Sequence, residues 1–409
     1  MSVHILGGYQ TDFAIKWKDR GESPLKEMMA EASLGALEAA GVSADEVGTA
    51  HVGNFIGERT TGQAQLGGVV PMIDPAWSGL PTARHEAACA SGSIGALAAA
   101  AEIEAGRYDV ALVIGAEFMR GGSGLEAAVH LGSAAWAPTE LNAEVLPWPD
   151  LFDRVATEYG NRYGLDESYL GRIASLARDN AKSNPCAQTR GWAATDGEFD
   201  RRDDTNPILA GRTRRTDCGL VTDGAAAVVL ASDAFMERWN ARRSAKDAKS
   251  SLVTGWGHRT APIPVADKFA LSSDASHLFP HVRRAIMDAR ERAGVAGIDD
   301  IDVVETHDCF TISEYVAIDH FGITDAGESW KAVEDGSIER GGRIPVNPSG
   351  GLLAAGHPVG ATGVRMLLDV HRQVTGTAGD CQVEGARRAA SLNIGGTFTT
   401  AVSFVVESA

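Results

Sequence analysis

The chain has 409 residues, with 54 acidic and 37 basic side chains and a formal net charge of -17 at pH 7. This negative balance argues against a nucleic-acid partner and against an anionic membrane surface as partner. A chain of this length exceeds what one hydrophobic core usually serves. Two or three units, or two halves that share a layer, are therefore expected.

Five cysteines lie far apart at positions 89, 186, 218, 309 and 381, with no Cys-x-x-Cys pair and no Cys/His cluster at zinc-site spacing. They predict free thiols in a reducing compartment and no metal site. No apolar run reaches the roughly 18 residues of a membrane-spanning helix, and no basic and apolar leader opens the sequence. We therefore expect a cytoplasmic protein.

Apolar runs of strand length alternate with helix-length patterns, which predicts an α/β fold. In the first half, strands are expected over residues 3–6, 49–55, 109–116 and 224–231, and a helix over 25–40 that ends at Gly41. The run at 109–116 is almost continuously apolar, which is typical of a strand buried on both faces.

The region between Phe118 and Asp217 interrupts this pattern and is rich in Trp, Asn, Asp and Arg, with helical stretches at 151–163 and 167–183. An insertion of this size usually covers a site, so we interpret it as a loop domain. The predicted division is 1–117 for the first part of an N-terminal half, 118–217 for the loop domain, 218–240 for the end of that half, and 241–409 for a C-terminal half.

The second half repeats the first in outline. Its expected strands are 252–256, 301–305, 389–395 and 400–406, and its helices are 280–293, 311–321 and one from His357 to about Val374. Cys89 and His357 each precede a helix that leads to an apolar strand, which indicates a weak internal duplication. A pseudo-twofold axis would bring both residues to one centre.

Cys89 is followed by small residues and then by good helix formers, so it is predicted at a helix N-terminus. The positive end of that helix would favour the thiolate and lower the thiol pKa. A buried cysteine in an alanine-rich core helix is an equally open interpretation of this stretch.

His357 lies in the glycine-rich stretch 347–363, where Pro358 fits the first turn of a helix and would leave the imidazole free at the N-cap boundary. A lone histidine is more often structural. Here the glycine-rich turn offers little apolar packing, which favours an acid/base near neutral pH.

Two further stretches bear on chemistry. His307 and Cys309 follow a buried strand, where open α/β sheets keep their sites, and they point the same way if the strand continues. A packed cysteine and a hydrogen-bonded histidine remain an equal alternative. Gly395 and Gly396 end another strand and would offer an unobstructed backbone N–H to an anion.

Cys89 in Cys-Ala-Ser-Gly, His357 in Gly-His-Pro-Val-Gly-Ala-Thr-Gly and the late Gly-Gly pair together resemble the thiolase superfamily. His-Asp-Cys-Phe at 307–310, with residues 181–188 and 217–232, resembles its sterol-carrier-protein-type and archaeal-type branch. The resemblance implies a five-layered αβαβα fold of two βαβαβαββ halves, an inserted loop domain that holds coenzyme A, and a homodimer or homotetramer.

One departure stands out, because thiolases carry a second active-site cysteine in a Cys-x-Gly turn where this chain has Asn393 two residues before Gly395. Cys309 then becomes the candidate for the missing acid/base, since Cys218, before a buried strand, and Cys381, in a polar loop, fit structural roles better.

The resemblance implies a Cys89 acyl-enzyme formed with His357 as base, and removal of a proton from acetyl-CoA by Cys309. Backbone N–H groups of Cys89 and Gly395 would hold the acyl oxyanion, while His357 and a water positioned by His307 would hold the enolate. Acyl-CoA and acetyl-CoA are then substrates, and no permanent cofactor or metal is required. This is thiolase chemistry of lipid metabolism, acetyl-CoA acyltransferase or acetyltransferase activity.

Arg212, Arg214 and Arg215 form the densest basic cluster and are candidates for coenzyme A phosphate contacts, with a solvated basic face as the alternative. The resemblance also implies a possible partner, the small zinc-binding OB-fold protein found with some archaeal-type thiolases.

Other functions use the same residues. A thiolase-fold acyltransferase or a decarboxylating ketoacyl synthase shares the Cys-His pair and needs no second cysteine. Retro-aldolases of this fold need no nucleophile, so Cys89 argues against that activity. A non-enzymatic scaffold would form no acyl-enzyme.

Overall fold

The first half begins with alternating strands and helices close to the predicted positions. The computed structural model describes residues 2–21, 23–142, 144–242 and 249–409. The helix predicted over 25–40 is confirmed, and it ends at Gly41 with a left-handed φ of 60°. The elements are β1 (Val3–Gln10), α1 (Pro24–Ala40), β2 (Thr49–Gly53), α2 (Gly57–Thr60), β3 (Thr82–His85), α3 (Ser91–Glu104) and β4 (Val110–Glu117).

The segment between β4 and the next strand of the main sheet contains the two predicted helical stretches, as Pro147–Tyr163 and Ser168–Ala181. Its two long helices pack against the second half of the chain through Phe152, Tyr159 and Ile173, which share a core with Val316. The elements are α4 (Gly124–Leu131), α5 (Ala137–Glu140), α6 (Pro147–Tyr163), α7 (Ser168–Ala181), β5 (Ile208–Ala210) and β6 (Thr213–Arg214).

The rest of the chain completes the first half and adds a second. The expected strands and helices are all present, with bounds shifted by up to a few residues. The elements are β7 (Gly224–Ser232), α8 (Asp233–Ala241), β8 (Ser251–Thr260), α9 (Val265–Leu271), α10 (Pro280–Arg292), β9 (Val303–Thr306), α11 (Thr311–Phe321), α12 (Ser329–Glu334), α13 (Gly351–Ala354), α14 (Thr362–Thr375), β10 (Arg388–Gly395) and β11 (Thr400–Ser408).

Nine strands form one mixed sheet in the order β3-β2-β4-β7-β1-β8-β11-β10-β9. In the N-terminal half β2 is parallel to β3 and β4, and β7 is antiparallel to β4 and β1. In the C-terminal half β9 is parallel to β10, and β11 is antiparallel to β10 and β8. Val346 makes a parallel bridge to Val304 at the place that β3 occupies in the N-terminal half. The predicted duplication is therefore confirmed by strand order and direction.

Helices α3 and α14 pack between the strands of the N-terminal half and the strands of the C-terminal half, and other helices cover the outer face of each set of strands. The order helix, sheet, helix, sheet, helix gives the predicted five layers. Leu112 and Ile114 of β4 share a core with α1, whereas Ala111 and Val113 share a core with α3 and α14. Alternate residues of β11 likewise divide between that inner core and the core formed with α10 and α11. Helices α3 and α14 thus form the central layer, and the residues before each of them meet there.

The helix predicted to open at His357 begins later. Residues Val359–Ala361 form a 3-10 turn and α14 starts at Thr362. A residue before proline avoids the helical region, so His357 is not the start of the helix. The short turn places His357 ahead of α14, much as Cys89 precedes α3.

The domain boundaries at 117, 217 and 240 stay predictions. Helix α8 ends at Ala241, where the C-terminal half was expected to begin, and residues 243–248 of that junction lie outside the described residues. No helix in the described part of the chain is long and apolar enough to cross a membrane.

Candidate active site

A tight turn presents Cys89 at the edge of the central layer. Ala88 has a left-handed φ of 50°, a strained conformation that residues with a side chain seldom adopt. The Ser91 hydroxyl donates to the Ala88 carbonyl at 2.6 Å and accepts from the Ala87 N–H at 3.0 Å. Because α3 starts at Ser91, Cys89 lies just before the helix, close to the predicted position.

Close backbone contacts bring the two halves together behind Cys89. A Cβ on Gly92 would lie 2.8 Å from the Gly360 carbonyl oxygen, and one on Gly360 would lie 2.7 Å from the Gly53 carbonyl oxygen. A Cβ on Gly115 would lie 2.6 Å from Ala361. These three positions therefore admit only glycine, and the resulting contact holds the 3-10 turn after His357 against α3.

The His357 ring is held with one nitrogen free. Its Nδ1 lies 2.7 Å from the Thr362 hydroxyl, which donates its own proton to the Pro358 carbonyl at 3.0 Å. The hydroxyl oxygen therefore accepts from Nδ1–H, and this bond fixes Nε2 as the unprotonated nitrogen. The His357 backbone N–H donates to Thr222 at 3.0 Å.

His307 lies beside His357, and the ring centroids are 5.3 Å apart with the planes at 84°. One ring nitrogen of each histidine and Sγ of Cys89 all lie within 4.8 Å of one another. The structure thus brings together three of the four residues named from the sequence, although they come from positions far apart in the chain.

Cys309, the fourth, lines the same cavity as Cys89 and His357. It is 8% exposed, and its sulfur lies 3.8 Å from the Ser313 hydroxyl. Cys218, which the sequence placed in a structural role, also lines this cavity. Cys381 lies elsewhere and is buried. All five cysteines are free.

The cavity has a volume of about 450 Å³, and its lining is apolar beyond the end formed by Cys89, Cys309 and His357. Among the described residues, no Asp, Glu, Lys or Arg lines it. An apolar group is therefore accommodated there at low cost, whereas an unpaired charge is not. Its walls include Phe55, Met119, Leu125, Leu131, Leu146, Trp148, Phe152, Leu209, Leu220 and Phe310.

The prediction that the α3 N-terminus lowers the Cys89 pKa is wrong. Burial raises the pKa of Cys89 to about 12, with a further rise from the nearby Glu117, and backbone N–H groups of Gly396 and Cys89 only partly oppose this. Burial and then the positive charge of Arg365 lower the pKa of His357 to about 3. The resting pair is therefore a neutral thiol beside a neutral imidazole.

The other two side chains are also neutral at rest. Burial, with the neighbouring His357 and Arg365, lowers the pKa of His307 well below its ordinary value. Burial and the proximity of Cys89 raise the pKa of Cys309 well above its ordinary value. Any charge in this site must therefore arise during a reaction, by proton transfer between these groups.

The backbone N–H of Gly396 hydrogen-bonds the Cys89 sulfur, whereas the sequence predicts this role for Gly395. Gly396 lines the cavity, and its N–H interacts with Cys89. Gly395 is the last residue of β10, paired with Thr400, and its Cα faces the Ala87 carbonyl so closely that a Cβ would lie 2.1 Å from that oxygen.

Two side chains of the arginine cluster, Arg214 and Arg215, donate hydrogen bonds to residues 203–206 of the same segment. Arg214 is 8% exposed and donates to Asp203 and to the Asn206 carbonyl at 2.8 Å each. Arg215 donates to the Thr205 carbonyl at 3.0 Å. The structure does not place these side chains, or Arg212, in the cavity lining, so a coenzyme A contact for the cluster stays a prediction.

The chain matches two family models: "Thiolase, N-terminal domain" over residues 3–153 and "Thiolase C-terminal domain-like" over residues 265–408. It is 32% identical over 401 residues to the acetyl-CoA acetyltransferase of Methanothermobacter thermautotrophicus, covering 98% of this chain and 97% of the relative. The chain belongs to the thiolase family.

Other thiolase-fold proteins are also similar. Sterol carrier protein 2 of Gallus gallus is 26% identical over 412 residues, which cover 96% of this chain and 69% of that protein. The solved structure of the Ltp2-ChsH2(DUF35) aldolase superposes with a TM-score of 0.77 at 21% identity, covering 100% of this chain and 98% of that one. This second likeness shows the thiolase fold alone.

Sequence reasoning missed several residues that support the site. Glu117, fully buried, accepts from the backbone of Phe55 at 2.8 Å and of Gly360 at 3.1 Å, so it ties β2 to the turn after His357. Arg365, 1% exposed, pairs with Asp369 at 2.7 Å and with Glu305 at 3.5 Å. An arginine among the apolar residues of α14 is the sequence feature that could have revealed Arg365. The sequence around Glu117 has no comparable feature.

Proposed function

We propose that this thiolase-family chain catalyses a reversible, coenzyme A-dependent Claisen condensation and thiolysis through a Cys89 acyl-enzyme. The observation that carries the proposal is the cluster of Cys89 Sγ with ring nitrogens of His307 and His357, all within 4.8 Å, at the end of an apolar cavity. Its acetyl-CoA acetyltransferase relatives support an acyltransferase.

Acylation uses His357 as a general base. The proton on Cys89 Sγ moves to Nε2 of His357, the sulfur bonds to the thioester carbonyl carbon, and the bond from that carbon to coenzyme A sulfur breaks. The departing coenzyme A thiolate takes the proton of Cys309. Backbone N–H groups of Cys89 and Gly396 are placed to hold the acyl oxygen, and each such donor typically lowers the barrier by about 3 kcal/mol.

Condensation uses the ion pair that acylation leaves behind. Cys309, now a thiolate opposite a protonated His357, removes a proton from the methyl carbon of acetyl-CoA. The enolate carbon attacks the acyl carbonyl, the bond to Cys89 breaks, and Cys89 recovers its proton from His357. Both thiols and the imidazole are then neutral again, and a 3-ketoacyl-CoA is released.

This order accounts for the raised pKa of Cys309. A buried thiolate without a nearby cation is strongly disfavoured, so Cys309 ionises only while His357 carries a positive charge. His307 contributes a hydrogen bond to the enolate oxygen. Coenzyme A thioesters enter as substrates, and the scheme requires no permanent cofactor.

Intact-protein mass spectrometry after exposure to acetyl-CoA tests the first half of the scheme. We expect a mass gain of one acetyl group in the wild type and in Cys381→Ala, whose sulfur lies outside the cavity, and no gain in Cys89→Ala. An unmodified wild type would refute the acyl-enzyme and would favour a non-enzymatic scaffold.

Cys309→Ala tests the second half. This variant is expected to form the acyl-enzyme more slowly, because the departing coenzyme A thiolate loses its proton donor, and to lose acetyl-CoA condensation and thiolysis of 3-ketoacyl-CoA. A decarboxylating ketoacyl synthase or another thiolase-fold acyltransferase is the second candidate, because it uses the same Cys-His pair. Condensation from malonyl thioesters that survives in Cys309→Ala would establish that alternative instead.

The assembly is part of the same proposal. We place the enzyme in the cytoplasm as a homodimer or homotetramer, and we include a small partner protein because the Ltp2 aldolase was solved with ChsH2(DUF35). Mass photometry of the purified chain tests the oligomer. Co-expression with small zinc-binding proteins, followed by gel filtration, tests the partner.

A further inference from the structure

Asn393 stands where the thiolase resemblance places a second cysteine, and it connects the two halves of the chain. Its Oδ1 lies 2.8 Å from the Ser93 hydroxyl on α3, and its Nδ2 lies 3.1 Å from Nδ1 of His307 at the end of β9. We propose that Ser93 and Asn393 are positioning residues that fix His307 with its proton on Nε2, so that His307 is a hydrogen-bond donor beside Cys89 and His357.

The amide orientation follows from the serine. Ser93 is 1% exposed, and its hydroxyl has no other acceptor among the residues that the structure describes. With the amide reversed, the serine proton would be buried without a partner, which is costly. The present orientation, Oδ1 toward Ser93 and Nδ2 toward His307, satisfies both groups.

The space for this relay depends on α14. A Cβ on Gly363 would lie 2.3 Å from the Ser93 oxygen and 2.5 Å from Asn393 Oδ1. Only glycine at 363 therefore leaves the serine and the amide in contact. The relay thus draws on α3, β10 and α14, three elements that meet in the central layer.

The tautomer of His307 follows from the amide. Because Nδ2 of Asn393 can only donate, Nδ1 of His307 is the acceptor and carries no proton, so the proton of the neutral ring is on Nε2. His307 is 1% exposed, and within the described part of the chain Nε2 has no hydrogen-bond partner. The ring of His307 lies beside Cys89 and His357, with one of its nitrogens within 4.8 Å of Cys89 Sγ, so a substrate oxygen held there would give the unpaired N–H an acceptor.

The consequence differs from the water-mediated role expected from the sequence. Resting on the function proposed above, His307 contacts the enolate oxygen itself, and Asn393 acts only through His307. A residue with a merely structural role at 393 would have no effect on which ring nitrogen of His307 is protonated.

Nitrogen-15 NMR of protein labelled at histidine provides a direct test, with the His307 signals assigned from their absence in His307→Asn. The wild type is expected to show Nε2 protonated and Nδ1 bare. In Asn393→Asp, a carboxylate accepts from both Ser93 and His307, and the proton is expected on Nδ1. A wild-type ring protonated on Nδ1, or a variant ring that keeps its proton on Nε2, would overturn the proposal.

Ser93→Ala is the second variant and keeps the test open if Asn393→Asp does not fold. Without the hydroxyl, the amide is free to reverse, so both tautomers are expected. A single Nε2-protonated form in Ser93→Ala would overturn the relay.

Kinetics separate this role from general damage. In Asn393→Asp the condensation rate is expected to fall about 100- to 1,000-fold, as when one oxyanion donor is lost, while acetylation of Cys89 stays near the wild-type rate. Equal losses in both steps would overturn the assignment to His307. Because the NMR result needs no acetyl-CoA, a wild type with the expected tautomer but no acyl-enzyme would refute the proposed function and leave the relay intact.

Discussion

The Thr362 hydroxyl keeps His357 in its reactive tautomer, and removing it should slow acylation. In Thr362→Val a methyl group replaces the oxygen that lies 2.7 Å from Nδ1. The Nδ1–H is then buried without a partner, which costs about 1–3 kcal/mol. The ring avoids this cost by moving its proton to Nε2, which removes the lone pair that faces Cys89. At 1.36 kcal/mol per tenfold, acetylation of Cys89 should slow by about 5- to 150-fold.

Rapid-quench mass spectrometry of Cys89 acetylation measures this loss directly. Thr362→Ser is the matched control, because it keeps the oxygen that accepts from Nδ1 and donates to Pro358, and it should acylate at nearly the wild-type rate. Thermal unfolding reports whether the fold is intact. Equal acetylation rates in Thr362→Val and Thr362→Ser would refute the argument that this hydroxyl sets the tautomer.

Four other predictions concern the contacts that hold the site and the titration of His357. Gly92→Ala forces a Cβ to 2.8 Å from the Gly360 oxygen and should lower the free energy of unfolding in urea by about 1–3 kcal/mol, whereas Gly68→Ala, with nothing within 4 Å, should be nearly neutral. Arg365→Met leaves Glu305 buried without its cation and Asp369 with only Arg372 at 3.7 Å, and should cost about 3–5 kcal/mol in the same assay, with a smaller loss in Arg365→Lys. Because the pKa of His357 is near 3, the acetylation rate should stay level from about pH 8 to 5, and an acid limb near pH 6.5 would contradict a neutral resting imidazole. Between about pH 3 and 6.5 the unfolded chain binds a proton at His357 that the folded chain does not, so this residue makes stability rise with pH in that window, as a titration of urea midpoints in the wild type and His357→Asn would show.

Many of the strands and helices could be predicted because each is encoded by a local pattern of apolar residues. Strand β4 was expected from one apolar run, and α1 from its helical spacing and the glycine that ends it. The order of strands in the sheet was not accessible in this way. It depends on which strand edges meet, such as the two residue pairs that join β1 to β8.

The proximity of Cys89 and His357 was predictable because their motifs are local, but their electrostatics were not. The position of Cys89 before α3 predicts a lower pKa, but the backbone N–H groups that lower it belong to Gly396 and to Cys89 itself. Burial between two halves of the chain outweighs their effect. The same burial is invisible in the sequence, because Gly92 and Gly360 contact each other only in the folded protein.

His307 and His357 are held in opposite tautomers by the groups that hydrogen-bond to their Nδ1 atoms. Thr362 accepts from Nδ1 of His357 and leaves a basic Nε2, whereas Asn393 donates to Nδ1 of His307 and leaves an acidic Nε2–H. Both rings are neutral because both are buried, so their different roles cannot come from different charges. The difference between the two rings comes from the partner of Nδ1, which is a hydrogen-bond acceptor, Thr362, for His357 and a donor, Asn393, for His307. Under the proposed function, imidazole therefore serves as a base at position 357 and as an oxyanion donor at position 307. Exchanging the hydrogen-bonding sense of residue 362 or 393 should exchange the role of the ring it contacts.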